Sequence, residues 1–324
     1  MPSPPSPDRP RRTTPGLLLV SLTATLALAL LLVPGRATAQ ARLGLLATTS
    51  ILADLSRNVA GDRANVTSLL GAGVDAHTYD PSPGDLARLA RADVLVVNGA
   101  GLEGFLDHLI AGAGGRFRTI TASAGLAPLT LDPEHGRPGR HGDKDEHAKS
   151  DPHFWQDVRH AMHYVANIRD GLIAADPAGE GVYRRNAARY LAELADLDRW
   201  VVDQVASIPP ERRRLVTNHE AFNYFAARYG FQMIGAVFPG FGTEQDPSPA
   251  EIAELVRRIR EFRVPAVFAE NVVNTRLADQ VAREAGVRVV ATLHSDALGA
   301  PGSGAETYIA MMRANVAAIV AALR

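Results

Sequence analysis

Short apolar runs rich in β-branched residues alternate along the chain with longer amphipathic stretches. Runs of this length, bounded by glycine, proline and polar residues, are typical of buried strands, and the stretches between them have helical spacing. Regular alternation of strands and helices predicts βαβ units and mainly parallel sheets. The predicted strands lie at residues 43–48, 65–69, 94–98, 118–121, 215–217, 232–237, 266–269 and 287–293.

One apolar stripe is much longer than the others. From Tyr183 to Ile208, apolar residues recur every three or four positions, as on one face of a single helix. Asp176-Pro177 suits the start of this helix, and Pro209-Pro210 ends it because proline cannot continue a helix. About 30 residues at ~1.5 Å each predict a rod of about 45 Å, which would be a stiff connector rather than a flexible hinge.

A short motif occurs once on each side of this helix. Asp80-Pro81-Ser82-Pro83 and Asp246-Pro247-Ser248-Pro249 both precede a helical stretch and then a buried strand. In each copy, Ser-Pro suits the cap and first position of a helix. The recurrence is either a chance repeat of a turn or the trace of two similarly built halves. We expect an α/β fold of two similar lobes, residues 40–172 and 210–324, joined by one long rigid helix within 173–209.

The first 39 residues have the pattern of an export signal. Arginines near the start precede an apolar run over residues 17–33, and Ala37-Thr38-Ala39 follows as a cleavage site. The alternative, a retained membrane anchor, fits less well because the run is short for a span. We therefore expect a secreted, periplasmic protein that is cleaved after Ala39.

Composition narrows the function. The formal net charge is -1, without the basic excess that nucleic-acid binding requires, so we expect neither DNA nor RNA as a partner. The sequence contains no cysteine. Disulfides, thiolate metal sites and a lipid tether on cysteine are therefore not expected, and a metal would be held by His, Asp, Glu or backbone oxygen.

Four side chains that could bind a metal lie in turns or directly after predicted strands. Ligands of open α/β sheets bind beyond the carboxyl ends of the strands, where these side chains could meet. Three imidazoles and one carboxylate can complete a zinc site. Each histidine taken alone is more often a surface or hydrogen-bonded residue. The four candidates are His77, His153, His219 and Asp296.

The segment 132–151 differs from the rest because it is polar, contains glycine and has no apolar period. We expect a flexible loop here. Its histidines, His135, His141 and His147, leave two interpretations open: a solvated loop, or a loop that collects metal weakly through neutral imidazoles.

Three other motifs lack a part that their chemistry needs. Gly99–Gly104 fits a dinucleotide fingerprint, but the next strand offers no acidic residue for the ribose, so a tight turn is the better interpretation. His219-Glu220 begins a metalloprotease-like motif in which Asn223 replaces the second histidine. His160 and His163 could share a helix face, but without a third ligand we interpret them as surface residues.

Taken together, the motifs resemble the solute-binding proteins of zinc and manganese ABC importers. The matching pieces are HTYDPSP, VLVVNGAGLEGFLD, DPHFWQD, the long helix, LVTNHEAFNYFAARYGF, TEQDPSPAEIAEL, VFAEN and HSDALG, which cover the mature chain in order. The resemblance implies two α/β lobes with the metal between them and, residue by residue, His77, His153, His219 and Asp296 as ligands. A histidine at the third position is similar to the zinc-binding members, whereas manganese-binding members tend to have glutamate there.

The resemblance implies a receptor that captures Zn²⁺ and delivers it to the membrane permease of an ABC importer. We expect a monomer without catalytic activity. A manganese receptor of the same class, a secreted zinc hydrolase with Glu220 as base, and a zinc buffer or adhesin remain alternatives. His294 could replace Asp296 as a ligand, and Glu270 could orient an imidazole from behind or be a surface acid. Asp75 has a similarly open role.

Overall fold

The structure is a computed structural model that describes residues 1–4, 42–129 and 150–324. The predicted signal peptide beyond residue 4, and the predicted loop histidines His135, His141 and His147, lie outside the described residues. Residues 42–324 form one compact unit, to which everything below refers. Within the described residues, no helix has both the length and the apolar character needed to cross a bilayer.

The N-terminal lobe is built on a four-stranded parallel sheet in the order β2-β1-β3-β4. Its strands are β1 (Leu43–Ala47), β2 (Ala64–Ser68), β3 (Val94–Val97) and β4 (Arg118–Thr121). The helices that accompany it are α1 (Ser50–Ala60), α2 (Pro83–Leu89), α3 (Leu106–Ala113) and α4 (Val158–Ala175). Every residue of β3 is buried, as expected for a strand covered on both faces.

The C-terminal lobe repeats this arrangement. Its strands are β5 (Arg214–Thr217), β6 (Gln232–Ala236), β7 (Ala266–Glu270) and β8 (Arg288–Leu293). The hydrogen-bonded parallel pairs are β5-β6 and β7-β8, and β5 lies beside β7, so the four strands follow one another across the lobe as β6, β5, β7 and β8. All eight strands predicted from the sequence are present, each within one residue of its expected ends.

The two Ser-Pro turns occupy equivalent places in the two lobes. Ser82 begins α2 and Ser248 begins α7 (Pro249–Glu261), each in a capping box with an acidic residue three positions later, Asp85 or Glu251. Helix α2 leads into β3, and α7 leads into β7. The repeated Asp-Pro-Ser-Pro motif therefore begins the same helix–strand unit in each lobe. The remaining helices of this half are α6 (Asn223–Tyr229), α8 (Arg276–Ala285) and α9 (Tyr308–Leu323).

The long helix α5 spans Glu180–Ala206, 27 residues, or about 40 Å at ~1.5 Å per residue. A 3-10 turn at Pro177–Gly179 precedes it. The helix is shorter than the predicted range 173–209 because residues 173–175 complete α4 and the helix stops before Pro209. It packs on α1 and α4 of the first lobe and on α6 and α9 of the second, so it joins the two lobes as predicted. The lobe boundaries at 172 and 210 stay a prediction.

The hydrophobic core continues through this helix. One cluster of buried residues extends from Leu45 and Val96 of the first sheet, through Leu194 of α5, to Phe268 and Leu293 of the second sheet. A smaller cluster lies between the opposite face of the second sheet and α7 and α8. The fold thereby fixes the carboxyl ends of both sheets, where the candidate ligands lie.

The turn Gly99–Gly104 is a tight strand–helix connection, as interpreted from the sequence. Gly99 has φ +83°, and a Cβ there would lie 2.6 Å from Thr121 Cγ2. The buried Glu103 carboxylate accepts hydrogen bonds from the backbone N–H groups of Asn98 and Gly99 and from the Thr48 hydroxyl. The protein's own carboxylate therefore occupies backbone donors that a phosphate would need.

This turn carries a prediction about stability. Glu103→Ala leaves those buried donors without their acceptor, and each unpaired buried group costs about 1–3 kcal/mol. We expect the free energy of unfolding to fall by about 3 kcal/mol, as measured by urea denaturation. Substitution of the exposed Glu211 by alanine is the matched control and should change stability by less than ~0.5 kcal/mol. Equal stability of the two variants would mean that Glu103 does not hold the turn.

Candidate metal site

The four candidate side chains meet at the carboxyl ends of the two sheets. His77 lies in the loop between β2 and α2, and His153 directly precedes a 3-10 turn at Phe154–Gln156. His219 follows β5 by two residues, and Asp296 follows β8 by three. Although 66 to 77 positions separate successive members along the sequence, their ligand atoms all lie within 4.8 Å of one another. The predicted convergence is therefore present in the structure.

Five distances between these side chains are close to the edges of a coordination tetrahedron. His153 Nε2 lies 3.2 Å from His77 Nε2 and 3.3 Å from His219 Nε2. Asp296 Oδ2 lies 3.2 Å from His219 Nε2 and 3.6 Å from His77 Nε2, and Asp296 Oδ1 lies 3.5 Å from His153 Nε2. In a tetrahedral site with zinc–nitrogen bonds of ~2.0–2.1 Å, neighbouring ligand atoms are ~3.3–3.4 Å apart.

Two of the imidazoles are backed by carboxylates on their opposite side. His153 Nδ1 donates to Asp151 Oδ1 over 2.8 Å, and His219 Nδ1 lies 2.6 Å from Glu270 Oε2. Because a carboxylate can only accept, each ring carries a proton on Nδ1, which leaves Nε2 as the nitrogen available to a metal. The two Nε2 atoms lie 3.3 Å apart, so a cation between them would be bound by both.

The charge balance of the site also calls for a cation. The side chains of Asp151, Glu270 and Asp296 are fully buried. Three buried carboxylates without an equal number of positive charges cost several kcal/mol per unbalanced charge in a protein interior. Neither oxygen of Asp296 has a hydrogen-bond partner within the described residues. A divalent ion at the centre would compensate two of the three negative charges.

The pKa values of the ligands reflect the same environment. Burial lowers the pKa of His77 to about 3, so this ring is neutral and able to bind metal at neutral pH. Burial would also lower the pKa of His219, but Glu270 and Asp296 together raise it well above its ordinary value. Burial opposes ionisation of Asp296, yet His219 and His153 hold its pKa below the usual range. The carboxylates thus stabilise positive charge at the position between the rings.

Hydrogen bonds fix the backbone segments that carry the ligands. Asp75 accepts from His77 N–H over 2.9 Å and from the Thr243 hydroxyl of the other lobe over 2.5 Å, which resolves its open role. Behind the site, Trp155 Nε1 and Gln156 Nε2 both donate to the Ser295 carbonyl, next to Asp296. The segments around His153 and Asp296 are therefore joined directly across the two lobes.

Several residues considered from the sequence do not join the four. The backbone N–H and C=O of His294 bond the side chain of Asn315, and its ring lies against Gly299. The four-residue group does not include Glu220. His160 is not a simple surface residue, because its ring packs edge-on against Phe154 and Tyr224.

His163, in turn, bonds the carbonyl of Ala124 through Nε2 over 2.7 Å, so it and His160 do not form a second metal pair.

Asp151 is the functional residue that the sequence analysis missed. It was included only as the end of the polar segment 132–151. It precedes His153 by two residues and also accepts from His153 N–H over 2.9 Å, so it holds both the backbone and the ring of that histidine. The acid two positions before a candidate histidine in DPHFWQD was the available signal. The same spacing relates Asp75 to His77.

Glu270 lies behind His219, so it is a partner of an imidazole, the first of its two interpretations from the sequence, and not a surface acid. Its Oε1 accepts from His219 N–H over 3.0 Å. Loss of such a partner typically lowers metal affinity 10- to 100-fold because the ligand ring loses its orientation and basicity. We expect Glu270→Ala to lower zinc affinity by about this factor in a calorimetric titration.

The matched control for Glu270 is Glu284→Ala on α8, which should bind like the wild type. Wild-type affinity of Glu270→Ala would contradict the assigned role.

Comparisons with known proteins agree with this geometry. Residues 45–322 match the family model described as zinc-uptake complex component A, periplasmic. The manganese-binding lipoprotein MntA of Halalkalibacterium halodurans is 37% identical over 274 residues, which are 85% of this chain and 86% of the relative. The metal ABC transporter substrate-binding lipoprotein SloC of Streptococcus mutans is 30% identical over 304 residues, 93% and 95% of the two chains.

Among solved structures, the periplasmic zinc binding protein TroA from Treponema pallidum has a TM-score of 0.79 and 29% identity. The similarity covers 87% of this chain and 99% of that one. The relatives found by sequence are substrate-binding proteins rather than enzymes, and both zinc and manganese occur in the names of similar proteins. The chain therefore belongs to the periplasmic zinc-uptake component A family, the metal-binding substrate receptors of ABC importers.

Proposed function

We propose that this protein captures a zinc ion between its two lobes and delivers it to the membrane permease of an ABC importer. The ligands in this proposal are the Nε2 atoms of His77, His153 and His219 and the carboxylate of Asp296. The observation that carries it is the convergence of four ligand side chains at distances close to the edges of a tetrahedron, backed by buried carboxylates.

Zinc is the preferred cargo because of the donor set. Three imidazoles and one carboxylate suit zinc, whereas manganese prefers more oxygen ligands. Manganese is the second candidate, since relatives named as manganese-binding include one at 37% identity. The two metals differ in the coordination they require: zinc is satisfied by four ligands in a tetrahedron, while harder ions take more oxygen ligands.

A receptor also accounts for the site better than a hydrolase does. A catalytic zinc needs an open position for the water that it activates. Here four protein ligands complete the tetrahedron, and three of the four residues are buried. In this arrangement the bound ion is shielded from solvent until the ligands move apart, as expected for a protein that captures a metal and later releases it.

The location in this proposal is the periplasm, reached through the signal peptide at residues 1–39. The relatives named as lipoproteins differ on this point, since the present sequence has no cysteine to which a lipid could be attached. We further propose that the receptor acts as a monomer.

The test combines metal analysis with spectroscopy. The purified protein is titrated with zinc and with manganese by calorimetry, and its cobalt-substituted form is examined by visible absorption. We expect one zinc per chain, tighter binding of zinc than of manganese, and the intense spectrum of four-coordinate cobalt. A weak six-coordinate spectrum with tight manganese binding would favour the manganese receptor, and an exchangeable water on cobalt would favour the hydrolase.

A further inference from the structure

Asn223, which interrupts the metalloprotease-like motif, lies behind the metal site. It is the first residue of α6 in the C-terminal lobe. Its side-chain amide group, Nδ2, lies 3.0 Å from Asp151 Oδ2 and 3.0 Å from the Glu220 carbonyl. Because both neighbours are acceptors, the NH₂ end of the side chain must face them. Asn223 therefore donates a hydrogen bond to the carboxylate that holds His153.

The two oxygens of Asp151 have separate partners. Oδ1 accepts from the backbone and the ring Nδ1 of His153, and Oδ2 accepts from Asn223. The Asp151 side chain is fully buried, so water does not substitute easily for a lost donor. The orientation of the His153 ring thus depends on a residue from the other lobe.

The next residue of α6 holds the same segment. The Tyr224 hydroxyl donates to the backbone carbonyl of Asp151 over 2.7 Å and accepts from Leu129 N–H over 2.9 Å. Two consecutive residues at the start of α6 therefore bind Asp151, one through its side chain and one through its backbone. These hydrogen bonds of Asn223 and Tyr224 are made to Asp151, Glu220 and Leu129, not to the four candidate metal ligands.

We propose that Asn223 is a positioning residue that couples the relative placement of the two lobes to metal affinity, through Asp151 and His153. When α6 lies in the position seen in this structure, the Asn223 amide group holds the Asp151 carboxylate by a hydrogen bond. Asp151 in turn orients the His153 ring so that Nε2 points at the metal. When the C-terminal lobe moves away, His153 loses this support together with its C-terminal co-ligands. The inference rests on the proposed function, because it assumes that His153 binds the metal.

The experiment measures zinc affinity by competition with a chelator for Asn223→Ala and for its matched control Asn167→Ala. Asn167 is also half-buried and also donates twice through Nδ2, but to the carbonyls of Ala122 and Ala124, which belong neither to the ligands nor to their hydrogen-bond partners. We expect Asn223→Ala to bind zinc about 10-fold more weakly, with the loss in a faster dissociation rate, and Asn167→Ala to bind like the wild type.

A double-mutant cycle tests whether Asn223 affects metal affinity through Asp151. In an Asp151→Ala background, Asn223→Ala should cause no further loss of affinity because the carboxylate that it positions is gone. Ring-nitrogen NMR supplies a readout that general loosening would not give: the Nδ1 proton signal of His153 should change in Asn223→Ala, while that of His219, held by Glu270, should not.

Asn223→Asp keeps the size of the side chain and serves if the alanine variant does not fold. It places a second carboxylate against Asp151, so zinc affinity should fall at least as far. Wild-type affinity in either folded Asn223 variant, or additive losses in the cycle, would overturn the inference. Failure of the wild type itself to bind zinc or manganese would instead overturn the proposed function.

Discussion

Replacing Asp296 by alanine is expected to lower zinc affinity by about two to three orders of magnitude. Asp296 is the charged ligand of the group, lies 3.2–3.6 Å from all three Nε2 atoms, and is fully buried. Removing one member of a buried charge interaction costs about 2–5 kcal/mol, and each 1.4 kcal/mol corresponds to a factor of ten. Calorimetry, with a competing chelator for the wild type, measures the difference.

His294→Ala is the matched control for this substitution. It removes the imidazole two positions before Asp296, which the sequence alone left as an alternative to that ligand. The contacts of His294 with Asn315 are made by its backbone and survive the change. We therefore expect nearly wild-type affinity. A large loss in His294→Ala together with tight binding by Asp296→Ala would reverse the assignment of the carboxylate ligand.

Saturation with zinc is expected to raise the melting temperature by about 8 °C. A ligand at 1,000 times its Kd stabilises the folded state by about 4 kcal/mol if it does not bind the unfolded chain. For a protein of this size, 1 kcal/mol corresponds to about 2 °C. The physical cause is that a divalent ion compensates two of the three negative charges of the buried carboxylates of Asp151, Glu270 and Asp296.

Thermal melts with and without zinc measure this shift, and the Asp296→Ala variant should lose most of it at the same zinc concentration. Deletion of residues 135–147 should leave it intact, because the four proposed ligands all lie outside that segment. A wild-type melting temperature that does not respond to zinc would contradict the site, and an equal shift in Asp296→Ala would place the stabilising ion elsewhere.

The sequence predicted the fold well because its signals are local. Strands such as β3 are continuous apolar runs, and the period of α5 is visible from Tyr183 onward. The ends of α5 differ from the predicted range, because helix α4 continues to Ala175 and a 3-10 turn separates the two helices. Helix boundaries depend on capping contacts that an apolar period does not encode.

The site was predictable only in part. Positions after strands and in turns selected His219 and Asp296 together with His77 and His153, and the family resemblance implied the same four ligands. The bond from Asn223 to Asp151 could not be predicted in the same way, because it joins residues 72 positions apart across two lobes. The choice between zinc and manganese also remained open, since it depends on coordination number rather than on residue identity alone.

The most direct test of the central claim is a crystal structure of the zinc-loaded protein with anomalous data on both sides of the zinc absorption edge. The account predicts one strong zinc peak, ~2.0–2.2 Å from Nε2 of His77, His153 and His219 and from a carboxylate oxygen of Asp296. A zinc peak held by other residues, or a saturated crystal without a peak between these four side chains, would contradict it.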